Sequence, residues 1–350
     1  MEFDALIEAL QRPPARAAFV LEANQTEESM TQLTRRHVLG GAAAIALSGG
    51  APMAPAFAQA PAAGAGFHRT RVGDIEITAL FDGARRGKLT ASPTRSASLE
   101  QFQDALAADN LSRDEIASVF HPLAIRTGGK LILIDTGNGP RSTQAGTGQM
   151  LANFTAAGFD PKEVEMVIIS HFHGDHIGGL VTLEGAPAFP NAEIKVPLDE
   201  WNYWLDDANM NKAAEGSNLR NAHGNVRRVF GAIPGKNLTK FEAGKEVAPG
   251  ITSMATPGHT PGHTSFVVAS GSDKLLVQAD VTSGIALVFV RNPDWFGGGD
   301  MDGPMAVATR RRLYDMLAAE KMRMTGYHLP FPAIGRMEKS GNGYSFTSAA

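Results

Sequence analysis

The chain has 350 residues, 43% of them hydrophobic, which is enough to bury a sizeable core in one domain of roughly 280 residues once an N-terminal leader is removed. It has no cysteine, which excludes disulfides, thiolate metal sites and cysteine nucleophiles. Its 32 basic and 36 acidic residues nearly balance, and removing residues 1–58 takes away four basic and six acidic groups, so the chain carries no basic footprint for nucleic acid.

Residues 1–29 precede a better start at Met30 and read as an extension with no structure of its own. The stretch Thr34-Arg35-Arg36-His37-Val38-Leu39, the weakly apolar run 40–47 and Ala56-Phe57-Ala58 form a twin-arginine leader with a cut after Ala58. The apolar run is too short for about 30 Å of hydrocarbon. This assigns 30–58 to a signal peptide, 59–66 to a linker and 67–350 to the working domain. The twin-arginine machinery becomes a partner, and the location is the periplasm or the exterior.

Beyond the linker, strands, tight turns and a few helices alternate without a repeat. Residues 75–80 predict a strand, and 122–135 a hairpin turning at Gly128-Gly129. Residues 149–158 have helical period, 164–169 form a short buried strand, and 198–207 form a helix carrying Trp201, Tyr203 and Trp204. A strand at 251–255 leads into a glycine-rich loop, 266–279 forms a second hairpin, 304–320 is an amphipathic helix, and 323–327 runs as a strand into His328.

Seven side chains suited to zinc and similar ions follow these strands: His171, His173, Asp175, His176, His259, Asp280 and His328. The first four lie in Ser-His-Phe-His-Gly-Asp-His-Ile-Gly-Gly (170–179). His171 and His173 are two apart and share a face of an extended segment, while the turn at Gly174 aims Asp175 and His176 elsewhere. One loop can thereby serve two ions: His171, His173 and His259 for the first, Asp175, His176 and His328 for the second, with Asp280 between both. Two ions about 3.5 to 4 Å apart would share a water and lower its pKa toward 7, so the nucleophile is hydroxide and Asp175 or Asp280 is the expected proton acceptor.

Over residues 67–350 these motifs resemble the metallo-β-lactamase superfamily, which implies an α+β, four-layer αββα sandwich with the metal site at one sheet edge. Residues 74–80, 262–264 and 328–335 resemble its methyl parathion hydrolases, exported dinuclear zinc phosphotriesterases. Arg336 and the polar segment 218–228 depart from that pattern. The resemblance implies two zinc ions, with manganese, cobalt or iron also accepted by these ligands. It implies hydrolysis of neutral esters, foremost organophosphate triesters, with aryl ester and lactone activity beside it, and allows a homodimer.

Acyl-homoserine lactonases resemble the chain in all seven ligands but commonly carry a tyrosine where Ser283 stands; a lactonase is the nearer alternative. A non-catalytic metal-binding protein is the farther one. Penicillin-degrading members usually lack the bridging aspartate, glyoxalase II adds a helical domain after the core, and the superfamily's nucleases need basic surfaces.

Asp135 is expected to orient a histidine ligand through its other ring nitrogen, and His263 to stand behind the ligands. Trp204, Phe289 and Trp295 are expected to line an apolar substrate pocket, with Trp201, Tyr203 and Phe296 nearby. Asp82, His68, His121 and His223 are read as structural or surface residues.

Overall fold

A computed structural model describes residues 66–349; the leader, its cut after Ala58 and the extension before Met30 lie outside the described residues. Two seven-stranded sheets face each other. The first contains, in spatial order, β1 (Phe67–Val72), β2 (Ile75–Leu80), β5 (Leu123–Thr127), β6 (Lys130–Ile134), β7 (Val164–Ile168), β8 (Glu193–Pro197) and β9 (Leu238–Phe241). The second contains β10 (Glu246–Ala248), β11 (Ile251–Ala255), β12 (Thr264–Ser270), β13 (Asp273–Val277), β14 (Arg323–Thr325), β15 (Ile334–Ser340) and β16 (Gly343–Ser348). A separate ribbon pairs β3 (Gly83–Lys88) with β4 (Glu115–Phe120).

The period of two in the strands sorts their side chains between cores. Ile75, Ile77, Ile132, Ile134, Met166 and Ile168 point inward to meet Phe266, Val268, Leu275 and Val277 of the facing sheet. Their neighbours Leu131, Leu133 and Val167 point outward, under Phe154, Val226, Val229 and Phe230, and a register shift between Leu131 and Ile132 puts Val164 on that side too. Val267, Leu276 and Met324 pack on the other outer face against Leu313, Tyr314 and Leu317 of the helix Gly303–Glu320. Each fully buried aliphatic or aromatic side chain contributes about 1.5–3 kcal/mol, so this double-sided burial holds the four layers together. The result is the expected αββα sandwich.

Local chemistry sets the boundaries. The β5–β6 hairpin turns on Gly128 and Gly129, whose φ values of 56° and 76° are the left-handed pair that a two-residue hairpin requires. The helix Gly303–Glu320 begins at Asp302, whose carboxylate accepts from Met305 N–H at 3.0 Å, with Pro304 at the first turn.

One reading is corrected. The helix expected over 198–207 divides into Leu198–Trp204 and Asp207–Lys212, because Asp206 caps the second by accepting from Ala208 N–H at 2.8 Å. The polar segment 218–228 belongs to a helix, Asn218–Gly231, whose buried face is His223, Val226, Val229 and Phe230.

Candidate metal centre

Both sheets end at one shared edge. Parallel β6 and β7 finish side by side, with Asp135 N–H donating to Ile168 O at 2.9 Å, and β7 runs straight into the 170–176 loop. In the other sheet, parallel β13 and β14 finish together, with Gln278 N–H donating to Thr325 O at 3.0 Å, and deliver Asp280 and His328. β11 ends in the loop carrying His259. Asp135 and Ala279 take positive φ values, 60° and 50°, where the chain leaves the strands; such backbone costs about 1–3 kcal/mol per residue and persists only where the surroundings enforce it.

The side chains converge in two groups. His171, His173 and His259 offer ligand atoms within 4.8 Å of one another, as do Asp175, His176, Asp280 and His328. Asp280 touches both: Oδ2 lies 3.3 Å from His259 Nε2 and 3.0 Å from His328 Nε2, and Oδ1 lies 3.3 Å from His176 Nε2. Asp175 Oδ2 completes the second group, 3.6 Å from His328 Nε2 and 3.7 Å from His176 Nε2.

Hydrogen bonds on the far side of three rings fix which nitrogen faces the centre. His176 Nδ1–H donates to Asp135 Oδ2, His259 Nδ1–H to Asp300 Oδ1 and His328 Nδ1–H to Val119 O, each at 2.8 Å. The Nε2 lone pairs therefore point inward. His171 Nε2, His176 Nε2 and Asp280 Oδ1 are buried with no hydrogen-bond partner, and His173 Nδ1 faces His259 Nε2 at 2.9 Å. Buried polar atoms left open and lone pairs turned toward each other are unfavourable unless a cation sits among them. The residues present fit a pair of metal ions.

In the metal-free protein the same crowding acts on protons. Burial lowers His259, but hydrogen bonds and charge from Asp280 and Asp300 outweigh it and carry it up to about 9. Burial opposes ionisation of Asp280 too, yet His328 and His176 hold its carboxyl well below the usual range. His173 has less carboxylate support, and burial together with His259 brings it down to about 3.

Asp135 is pinned as well as pinning: it also accepts from Ser170 N–H at 2.8 Å and Ser170 Oγ at 2.7 Å. His263 receives Asp280 N–H on Nε2 at 3.0 Å and reaches Thr256 through Nδ1, so both its nitrogens are used. Asp300 was not foreseen from the sequence. It lies 41 positions from His259 with no motif around it, and besides His259 it accepts from Gly297 N–H at 2.8 Å and faces buried Arg310 at 3.5 Å. Tyr327, also missed, stacks on His176 with ring centroids 3.9 Å apart and donates to Asp175 O at 2.5 Å.

The centre opens into a cleft of about 360 Å³ lined by His173, Asp175, His259, Asp280 and His328 at its base. Ile116, Phe120, Ile285 and Phe289 form apolar walls, and Arg85, Ser118 and Ser283 supply polar groups. Of the three residues expected in the pocket, only Phe289 lines this cleft. Trp204 is buried in the core with its indole N–H on Glu200 Oε2 at 2.8 Å, and Trp295 stacks on Phe102 behind the wall. Asp82, His121 and His223 have structural partners: Asp82 accepts from Asn138 and Met150 N–H, His121 meets Leu329 O and His223 meets Trp204 O.

A family model, the metallo-beta-lactamase superfamily, matches residues 123–315, more than half of the chain. N-acyl homoserine lactonases from Bacillus sp. and Bacillus thuringiensis are 29% and 28% identical over 167 residues, 47% of this chain and 55% of theirs. The chain thus spans about half the length of these curated relatives. AidC, a dizinc quorum-quenching lactonase solved with the product N-hexanoyl-L-homoserine, is 27% identical with a TM-score of 0.75, covering 81% of this chain and 98% of its own. AbOPH, a hydrolase in the beta-lactamase superfamily, is 25% identical with a TM-score of 0.73, covering 82% and 98%. These relatives are lactonases and a superfamily hydrolase, not methyl parathion hydrolases, and that finer resemblance gives way to them. With the sandwich, the loop order and the paired donor groups in agreement with this match, the chain belongs to the metallo-beta-lactamase superfamily.

Proposed function

We propose that the protein is a dinuclear lactonase that opens the ring of N-acyl homoserine lactones or chemically similar neutral lactones. The reading is carried by two donor groups that meet at Asp280 on the floor of an apolar-walled cleft, and it is supported by the lactonases among the relatives. His171, His173 and His259 would hold one ion and Asp175, His176 and His328 the other, with Asp280 shared; zinc is favoured because AidC is a dizinc enzyme. Bound there, the ions supply a water acidified toward neutrality and a Lewis-acid contact for the lactone carbonyl oxygen.

The protein's own groups do the rest. Asp175, whose side chain is 22% exposed against 3% for Asp280, is the carboxylate free to take a proton from the attacking water and return it to the ring oxygen. The water oxygen bonds to the carbonyl carbon, the ring C–O bond breaks, and the ring oxygen leaves as a hydroxyl. Ile116, Phe120, Ile285 and Phe289 take the acyl chain from water at about 0.8 kcal/mol per buried methylene. The Arg35-Arg36 leader supports export of the folded enzyme.

A second reading, hydrolysis of neutral phosphotriesters or aryl esters, is favoured by Ser283 on the cleft wall, where lactonases of the superfamily commonly carry a tyrosine. The deciding experiment compares kcat/KM of the zinc-loaded protein for a long-chain acyl-homoserine lactone and an aryl phosphotriester. The lactone is expected to be preferred by orders of magnitude. A preference for the triester would reverse the order of the two readings.

A further inference from the structure

Glu200 lies in the helix Leu198–Trp204 and is fully buried. A carboxylate removed from water is costly unless hydrogen bonds occupy its oxygens. Glu200 Oε2 accepts from the backbone N–H of Phe172 at 2.9 Å and from the indole N–H of Trp204 at 2.8 Å; Oε1 accepts from the backbone N–H of Gly262 at 2.7 Å.

The positions of these donors matter. Phe172 stands between His171 and His173, on the loop that leaves β7 of the first sheet. Gly262 lies three residues past His259, on the loop that leaves β11 of the second sheet. One carboxylate thus joins the two segments that bear all three histidines of the first donor group. The approach is close, because a Cβ at Gly262 would lie 2.3 Å from Glu200 N, so a larger residue there would push the loop away. Nearer the strands, Thr264 N–H donates to Ser170 O at 3.1 Å, which keeps the sheets joined independently of Glu200.

We infer that Glu200 is a positioning residue whose carboxylate clamps the Phe172 and Gly262 backbones so that His171, His173 and His259 converge on one cation. The inference rests on the dinuclear reading above. It makes the first donor group depend on Glu200 far more than the second, whose Asp175, His176, Asp280 and His328 are held by Asp135, Tyr327, His263 and Val119 O. A glutamine cannot substitute: its amide oxygen can keep two of the donors, but its NH₂ then meets the third N–H donor to donor. An aspartate is one carbon too short to span both loops.

The test titrates metal-free wild type and Glu200→Gln with Zn²⁺ against a chromogenic chelator, and with Co²⁺ by visible absorption. The wild type is expected to take two ions. Glu200→Gln is expected to keep one near wild-type affinity and to bind the other about 10- to 100-fold more weakly, with the Co²⁺ band of the three-histidine site lost. Gly262→Ala should give the same selective loss with the carboxylate intact, which covers the case in which the glutamine variant fails to fold. Two ions bound within twofold of wild type in either folded variant would overturn the clamp alone. A wild type that takes up no cation would overturn the clamp and the dinuclear reading together.

Discussion

Replacing Asp300 separates orientation of a ligand from its identity. The Asp300 and Arg310 side chains are each about 1% exposed; Asp300 accepts from His259 Nδ1–H and Gly297 N–H, and Arg310 stands 3.5 Å away. Breaking a buried ion pair by removing one partner costs about 3–5 kcal/mol. Arg310 retains carbonyl acceptors on Val281 and Pro293 at 2.8 and 3.0 Å, which places Asp300→Ala at the lower end, about 3 kcal/mol. At roughly 2–4 °C per kcal/mol for a domain of this size, the metal-free variant should melt about 6–12 °C below wild type. Asp300→Asn keeps one acceptor and strands a single donor, so about 1–3 kcal/mol is expected. In Asp300→Ala, His259 loses its anchor, and zinc affinity at the first donor group should fall about 10- to 100-fold. Calorimetric melts in chelator and in zinc read the two effects separately. A metal-free Asp300→Ala that melts within 2 °C of wild type and binds zinc as tightly would refute the reasoning.

Other outcomes follow from the same geometry. Chelator treatment should abolish hydrolysis, with zinc restoring it. In the metal-free protein His259 is raised to about 9, so at pH 7 it carries a proton that a cation must displace. Zinc binding should accordingly release protons at pH 7, and apparent affinity should rise as pH approaches 9. The raised value also means that the stabilisation from protonated His259 is fully present below about 6.5, its unfolded value, and is lost as pH rises through about 9; metal-free melts from pH 6 to 10 should show that loss, whereas a flat profile would contradict it. Ile116→Ala removes part of the apolar wall and should lower kcat/KM about fivefold for a long-chain lactone, roughly 1 kcal/mol, with little change for a short-chain one. Replacing Arg35 and Arg36 together with lysine should retain the protein in the cytoplasm, as fractionation would show.

The donor groups were legible because they follow strongly patterned strands: 164–169 and 251–255 match Val164–Ile168 and Ile251–Ala255, whereas the strand expected over 323–327 stops at Thr325 and the chain turns before His328. Leu131–Ile134 in β6 and Met166–Ile169 at the end of β7 form apolar runs, the mark of strands buried on both sides. What escaped has equally physical causes. Glu200 and Asp300 are ordinary acidic residues in sequence, and their burial depends on distant backbone N–H groups and rings that no local pattern reveals. Trp204 looked like a pocket wall because aromatics serve cores and clefts alike; its burial is settled by the helix Asn218–Gly231 packing over it, which its polar composition concealed. The β3–β4 ribbon, which supplies Arg85, Ile116, Ser118 and Phe120 to the cleft, is rich in charge and lacks a clear alternation.

Diffraction from crystals of the zinc-loaded protein, collected across the zinc absorption edge, tests the central claim most directly. Two anomalous peaks are predicted, one among His171, His173 and His259 and the other among Asp175, His176 and His328, with Asp280 between them. No peak in this cluster, or a single peak remote from Asp280, would contradict the account.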